Sequence, residues 1–417
     1  MKMATVQFKK IFLFFSFFYY VGFLSFITGI YGGKVDDAFT VYAGGSIANQ
    51  LWGIGLLIMS VTLICKLKIV TASYFVKSFF LWGLLIAWFV ASISWSYAPA
   101  ISFRRVVAFS SLVLVSFCLV QMFTAKSLLR FFVVAVFIAS CIGILEAILY
   151  PQNAFIGSGI RAGAFTGFYF DKNGGARVYA YSLLIIVGLE FYKERWGLAA
   201  LLAISTCLLM SRSATAAIML IVGCLLIFMF KYWKANTAST NFLRLGLLLV
   251  VLTISGYTLL LLHDVLLEFL GRDATLTNRT IIWQLIEPYI LKEFIFGYGF
   301  GAFWASDAVF GFLDRWSFIG NAHSGYYEAM LQGGIVCLLI VLAIAFKSLY
   351  LLFKAYIVGK SGALTATLIA IFCIQLAVNF IGFIVLNHNS VDMFLFLLAF
   401  FMINSLPSSN QEIELKK

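Results

Sequence analysis

Charge is scarce in this chain: only 11% of its 417 residues are Asp, Glu, Lys or Arg, against about 25% in soluble domains. That excludes a soluble domain. With 63% hydrophobic residues and a mean hydropathy of +1.02, a disordered or fibrous chain is excluded as well. Four prolines suit long helices. The seven cysteines (65, 118, 141, 207, 224, 337 and 373) lie in or beside apolar runs and no CxxC occurs, so neither a disulfide nor a metal cluster is expected. No DxD occurs either; Asp36 and Asp37 are adjacent and read as a solvated loop. The carboxylate pair of a glycosidase is not evident. Alternating polarity is absent, which excludes a transmembrane barrel. There is no internal repeat and no low-complexity tract. The first apolar run, 11–30, follows Lys9 and Lys10, is too long for a signal core and lacks a small-residue cleavage site, so it is read as a span that stays.

What is there is a series of apolar runs, at 11–30, 47–65, 74–94, 104–122, 128–149, 174–192, 196–211, 213–232, 243–263, 324–346, 362–386 and 390–405. Each is near the ~20 residues a spanning helix takes. The expected fold is therefore an all-α polytopic integral membrane protein of about twelve transmembrane helices. The two longest polar segments are 150–173 and 264–323, and the tail 407–417 is polar.

Basic residues in the loops orient the chain. With the N-terminus inside, the inner loops hold 15 Lys and 3 Arg, and the outer loops 3 Lys and 8 Arg. The excess inside places both termini in the cytoplasm. The outward arginines oppose that bias and need a second reason. A guanidinium binds phosphate bidentately, so an outward set at membrane level suggests an anionic ligand, a lipid diphosphate. The plainer reading is that some of them snorkel to headgroups.

Four outward stretches carry the polar chemistry. Trp95-Ser-Tyr-Ala-Pro-Ala-Ile-Ser-Phe-Arg-Arg, ending in Arg104 and Arg105, links the third and fourth spans. Arg161-Ala-Gly-Ala-Phe-Thr-Gly precedes Asp171-Lys-Asn-Gly-Gly, with Lys172 and Asn173. Ser211-Arg-Ser, with Arg212, lies between two apolar spans, where a charge is costly. The segment 264–323 holds the rest. A short amphipathic helix begins near Arg279, capped by Thr277 or Asn278, with Ile281, Ile282, Leu285, Ile286 and Tyr289 on one face. Arg279 falls at the N-terminus of that helix, where free N–H groups favour anions. Gly297-Tyr-Gly-Phe-Gly has no strand before it and reads as a turn, not a dinucleotide loop. Asn321-Ala-His-Ser-Gly-Tyr-Tyr-Glu then puts His323 at the membrane boundary, with Tyr327 and Glu328 after it.

In this order, these stretches resemble the O-antigen ligase/polymerase family of bacterial envelope glycosyltransferases, which includes exopolysaccharide polymerases. The resemblance covers residues 95 to 328. It implies a GT-C type architecture in a single membrane domain, 1–417, with 264–323 as a periplasmic loop between helices nine and ten and 407–417 as a cytoplasmic tail. It implies the bacterial inner membrane and an active site facing the periplasm. The activity it implies is transfer of a glycan from undecaprenyl diphosphate to a hydroxyl, with inversion and without a metal; no cofactor is expected. The family's essential histidine maps onto His323. Its diphosphate-binding arginines map onto Arg279, Arg212 and Arg161, and Arg105 and Arg104 are further candidates. Lys172 and Asn173 line the donor path or form a turn. Asn321, Tyr327 and Glu328 support the histidine, although Glu328, five residues on, equally well faces away. His263 and His388 lack a motif and are read as structural.

The residue types suit this chemistry without the family. A lipid diphosphate leaves readily, so no protein acid is needed. The acceptor hydroxyl needs a base, and a histidine of pKa ~6.5 suits that task. Arginines stabilise the charge that gathers on the leaving group. The expected partners are an undecaprenyl-diphosphate-linked glycan, a lipid A–core or glycan acceptor, membrane lipids and envelope-polysaccharide assembly proteins, with no nucleic acid. Ligase-type transfer is favoured over polymerisation, because the histidine and arginine set is complete and the outer loop is long. A lipid-linked glycan transporter is the alternative from another class, and a structural scaffold a third. A transporter should carry charges within its spans; here they gather at one face.

Overall fold

A computed structural model describes residues 2–32, 47–65, 72–157, 162–233, 237–248, 279–306, 320–359, 362–388 and 390–405. Among them the backbone is helical apart from turns and one isolated bridge between Phe155 and Phe165. The helices are α1 (Lys2–Tyr20), α2 (Phe23–Gly32), α3 (Ile47–Cys65), α4 (Ala72–Ser92), α5 (Pro99–Met122), α6 (Ala125–Leu149), α7 (Lys172–Gly188), α8 (Arg195–Met210), α9 (Ala214–Tyr232), α10 (Arg279–Lys292), α11 (Gly325–Ile357), α12 (Ala363–Val378) and α13 (Val391–Asn404). Residues 238–248 are helical too.

Local chemistry starts several of these helices. Pro99 opens α5, where its missing N–H costs nothing. Thr124 caps α6 by accepting from Ser127 N, Asp171 caps α7 by accepting from Asn173 N and Gly174 N, and Ser390 caps α13 by accepting from Met393 N. Five hydroxyls inside the helices are satisfied by the carbonyl one turn back: Ser16, Ser60, Ser140, Ser182 and Ser348 all donate to residue i−4. Lone serines therefore do not interrupt apolar helices.

The innermost helix is α13, buried from Asp392 to Ile403, with α12 and α7 nearly as enclosed. Around them, α3 packs on α5, α9 on α12 and α7, α8 on α7 and α6, and α11 on α4. The outer helices turn apolar residues away from the protein. On α9, Ile218, Ile221, Leu225 and Phe228 are exposed while Met219, Gly223, Ile227 and Phe230 are buried. An exposed apolar stripe at helical spacing is what a lipid-facing helix requires.

Among the described residues six helices are long and apolar enough to cross a membrane: Ile47–Cys65, Phe75–Ser92, Pro99–Met122, Ala125–Leu149, Ala214–Tyr232 and Gly325–Ile357. A seventh is added if Val6–Tyr20 and Phe23–Gly29, bent by 50°, form one span. Arg195–Met210, Ala363–Val378 and Val391–Asn404 are apolar but shorter. This is a polytopic membrane protein.

Two further expected spans differ from simple rods. The run 362–386 is helical only to Val378, because residues 379–388 form a turn-rich segment in which Asn379, Ile384, Val385 and Leu386 are buried. Irregular backbone at that depth is tolerated when protein encloses it. The run 324–346 extends to Ile357 but is broken at Gly333 (φ −151°, ψ 17°) and Gly334 (φ 64°, ψ −164°). At the break Trp88 Nε1 donates to Gly333 O and Ile335 N to Phe294 O. A Cβ on Gly334 would lie 2.1 Å from Ile295 O, so only glycine fits.

Candidate functional site

The loop segments that carry most of the expected residues touch one another in pairs. The segment 93–98 lies along 293–301: Tyr97 N donates to Tyr298 O (3.1 Å) and Tyr97 Oη to Glu293 Oε1 (2.8 Å). That bond to a carboxylate holds the Tyr97 phenol above its usual pKa. The segment 320–325 lies on 379–382, with Gly325 N donating to Asn379 O (2.8 Å) and Gly382 O (3.0 Å). The stretch after Arg161 lies on the Ser211-Arg-Ser turn through Phe165 N and Met210 O (3.1 Å).

His323 is half-buried, two residues before α11, with φ +49°. A non-glycine residue in that region is strained, and such strain gathers at functional sites. Its N–H donates to Asn321 Oδ1 (2.8 Å), an Asx turn of the kind that lets the chain reverse locally. The preceding residue, Ala322, accepts from Trp283 Nε1 (2.9 Å). Trp283 lies one turn after Arg279 on α10, so the helix that begins with Arg279 is tied directly to the histidine turn. That helix is described from Arg279 onward; it buries Ile282, Ile286 and Ile290, with Leu285 and Tyr289 partly covered.

Glu328 turns inward. It is wholly buried and accepts Ala322 N (2.7 Å), Trp304 Nε1 (2.9 Å) and Gln332 Nε2 (2.9 Å). Tyr327 stacks on Trp283, ring centroids 5.3 Å apart and 6° from parallel; its visible role is packing.

Arg105 Nη1 donates to Gly301 O (2.6 Å). Gly301 has φ +68°, and a Cβ there would lie 2.3 Å from Arg105 Cδ, so the last glycine of the Gly297–Gly301 turn makes room for this side chain. The charge of Arg105 reaches both Glu328 and His388. His388, in the turn before α13, lies over Phe300 with centroids 6.0 Å apart. Burial, and next the charge of Arg105, lower its imidazole to about 3, so it is neutral at physiological pH. Arg104, one residue away, is exposed.

The other expected residues lie on the α7 side. Arg212 is exposed, has φ +49° and stands against Gly163, whose added Cβ would be 3.5 Å from Nη1. Lys172 and Asn173 form the first turn of α7 under the Asp171 cap, and are half-buried. Arg161, Asp36, Asp37, His263, Thr277 and Asn278 lie outside the described residues, as do 264–276, 307–319 and the tail 407–417.

Arg177 is one of the eight outward arginines, and no motif gives it a role. It makes a buried fork with Asp392: Nε at 3.2 Å from both carboxylate oxygens and Nη2 at 2.8 Å from Oδ2. This joins α7 to α13 beside Gly382, and Gln375 Nε2 closes the corner on Asp392 O (2.9 Å). The signal was Asp392 itself, an acid at the start of an apolar span, which is costly unless paired. Trp283 and Trp304 were missed as well; an indole among apolar residues carries no motif.

The contacts thus form two groups joined by α7. His323, the Arg279 helix, Arg105, Glu328 and His388 make one; Arg212 and the stretch around Gly163 make the other.

Residues 197–342 match the family described as O-antigen ligase. The exopolysaccharide production protein ExoQ of Rhizobium meliloti (strain 1021) is 27% identical over 278 residues, covering 60% of this chain and 60% of that protein.

Proposed function

We propose that this chain, which these likenesses place in the O-antigen ligase/polymerase family, transfers a glycan from undecaprenyl diphosphate to an acceptor hydroxyl at the periplasmic face of the bacterial inner membrane. The architecture is of GT-C type with about twelve spans and both termini in the cytoplasm. The acceptor is lipid A–core or a comparable glycan. The observation that carries this reading is the tie between the Arg279 helix and the His323 turn through Trp283 and Ala322. It couples an arginine suited to phosphate with an imidazole suited to a hydroxyl.

His323 takes the proton of the acceptor hydroxyl as its oxygen bonds to the anomeric carbon from the face opposite the leaving group. The bond from that carbon to the diphosphate oxygen breaks, and its electron pair stays on the diphosphate. Arg279, Arg212 and Arg161, with Arg105 and Arg104 at the edge of the site, bind that charge. The configuration inverts, and the proton on His323 passes to water. Lys172 and Asn173 stand at the start of α7 on the donor side.

A second reading, extension of a polysaccharide on its lipid carrier, uses the same donor chemistry. The likeness to a protein of exopolysaccharide production favours it. Profiling glycans in a deletion strain complemented with wild type or His323→Ala tests both. Long chains held on the lipid carrier and missing from the acceptor identify a ligase; single repeats on both identify a polymerase. A His323→Ala variant that is expressed and behaves as wild type overturns the role of His323.

A further inference from the structure

The peptide units that lead into His323 are held by side chains from two separate segments, and a third segment fixes one of those side chains. The Ala322 N–H is taken by Glu328 Oε1 on the first turn of α11 (2.7 Å). The Ala322 C=O is taken by Trp283 Nε1 on α10 (2.9 Å). Glu328 is itself fixed by Trp304 Nε1, from the turn after Gly301, on the same oxygen (2.9 Å). Downstream, the Gly325 N–H is anchored on Asn379 O and Gly382 O. With the backbone held on both sides, the Cα–Cβ direction of His323 is set by its neighbours, and the strained φ of +49° is maintained.

Glu328 has no exposed surface, and three donors converge on its two oxygens. It is not placed to touch a substrate. Its partner Gln332 uses its amide nitrogen and leaves Oε1 without a hydrogen bond among the described residues. A glutamine at 328 would therefore still accept both donors of the clamp. Its Oε1 would accept Ala322 N and Trp304 Nε1, while its amide nitrogen would donate to Gln332 Oε1 after that side chain turns over.

We infer that Glu328, Trp283 and Trp304 are positioning residues that aim His323, with Glu328 serving as a hydrogen-bond acceptor rather than as an acid, a base or a required charge. This rests on the reading of His323 as the base. A displacement of about 1 Å at a catalytic group costs up to ~100-fold in rate, so loss of the clamp should appear in turnover rather than in donor binding.

The test uses the full chain in membranes of the deletion strain, with undecaprenyl-diphosphate-linked glycan extracted from that strain as titrated donor. Trp283→Phe keeps the ring and removes the donor atom. It and Glu328→Ala should lower the rate at saturating donor at least ~10-fold and leave the donor KM within ~3-fold. Glu328→Gln should restore at least a third of the wild-type rate. A Glu328→Gln variant present at wild-type level, yet as slow as Glu328→Ala, would show that the carboxylate charge or proton is needed and overturn the inference. So would Trp283→Phe at full rate. If His323→Ala transfers normally, the base reading falls and takes this inference with it. If His323→Ala is inactive while Trp283→Phe and Glu328→Ala are both fast, only the clamp is refuted.

Discussion

The Arg177–Asp392 pair makes the sharpest stability prediction. Its two side chains are 16% and 3% exposed and 2.8 Å apart at their closest contact. At an effective dielectric of about 20, two unit charges at that distance attract by about 6 kcal/mol. Most of that offsets the cost of taking both ions out of water, so the intact pair adds little net stability. Removing one partner is a different matter, because it leaves a buried charge uncompensated at a cost of about 3–5 kcal/mol. Asp392→Asn and Arg177→Met should each show this loss. With ~2.1 cal/mol/K of unfolding entropy per residue over 417 residues, Tm falls by roughly 3–6 °C. The double variant Arg177→Met with Asp392→Leu leaves no unpaired charge and should lose clearly less than the sum of the single losses. Buried Cys118, Cys207 and Cys337 are free thiols, so a thiol-reactive fluorophore reports unfolding of the purified chain in detergent. An unchanged Tm for Asp392→Asn, or single losses that add in the double variant, would refute the argument.

Other consequences are equally direct. His388 is lowered to about 3 when folded and titrates near 6.5 when unfolded, so only the unfolded chain binds its proton between those values. Its contribution to stability is complete above about 6.5 and falls as pH drops toward 3, by up to ~1.4 kcal/mol per unit. His388→Gln should flatten that part of the acid profile, and identical profiles for the two proteins would disprove it. Gly301→Ala forces a left-handed φ on alanine and drives a Cβ into Arg105. It should cost ~2–4 kcal/mol and slow transfer; a variant with wild-type Tm and rate would contradict this packing. Glycan transfer by the purified chain should persist in excess chelator; strict dependence on a divalent ion would end the metal-independent mechanism.

The membrane class, the runs that became helices and the apolar face of α10 were all legible in one dimension. Apolar length, N-capping side chains and helical spacing act over a few residues, and the lipid enforces them everywhere. The Trp95–Arg105, Ser211–Ser213 and Asn321–Glu328 stretches also stood out, because polar groups beside apolar spans are costly and therefore conspicuous. The direction of Glu328 was not legible. Five residues after His323, it points inward only because Trp304, Gln332 and the Ala322 N–H converge there, and Trp304 comes from a turn placed by Arg105 and Gly301. The end of α12 at Val378, the break at Gly333–Gly334 and the fork of Arg177 on Asp392 are of the same kind. Composition and short-range pattern thus determined that this is a polytopic helical membrane protein with polar loops. Which loop side chains meet, and which way each one faces, was decided by pairings between distant segments (Trp88 and Gly333 are 245 residues apart), whose energies depend on distance and burial that local sequence does not contain.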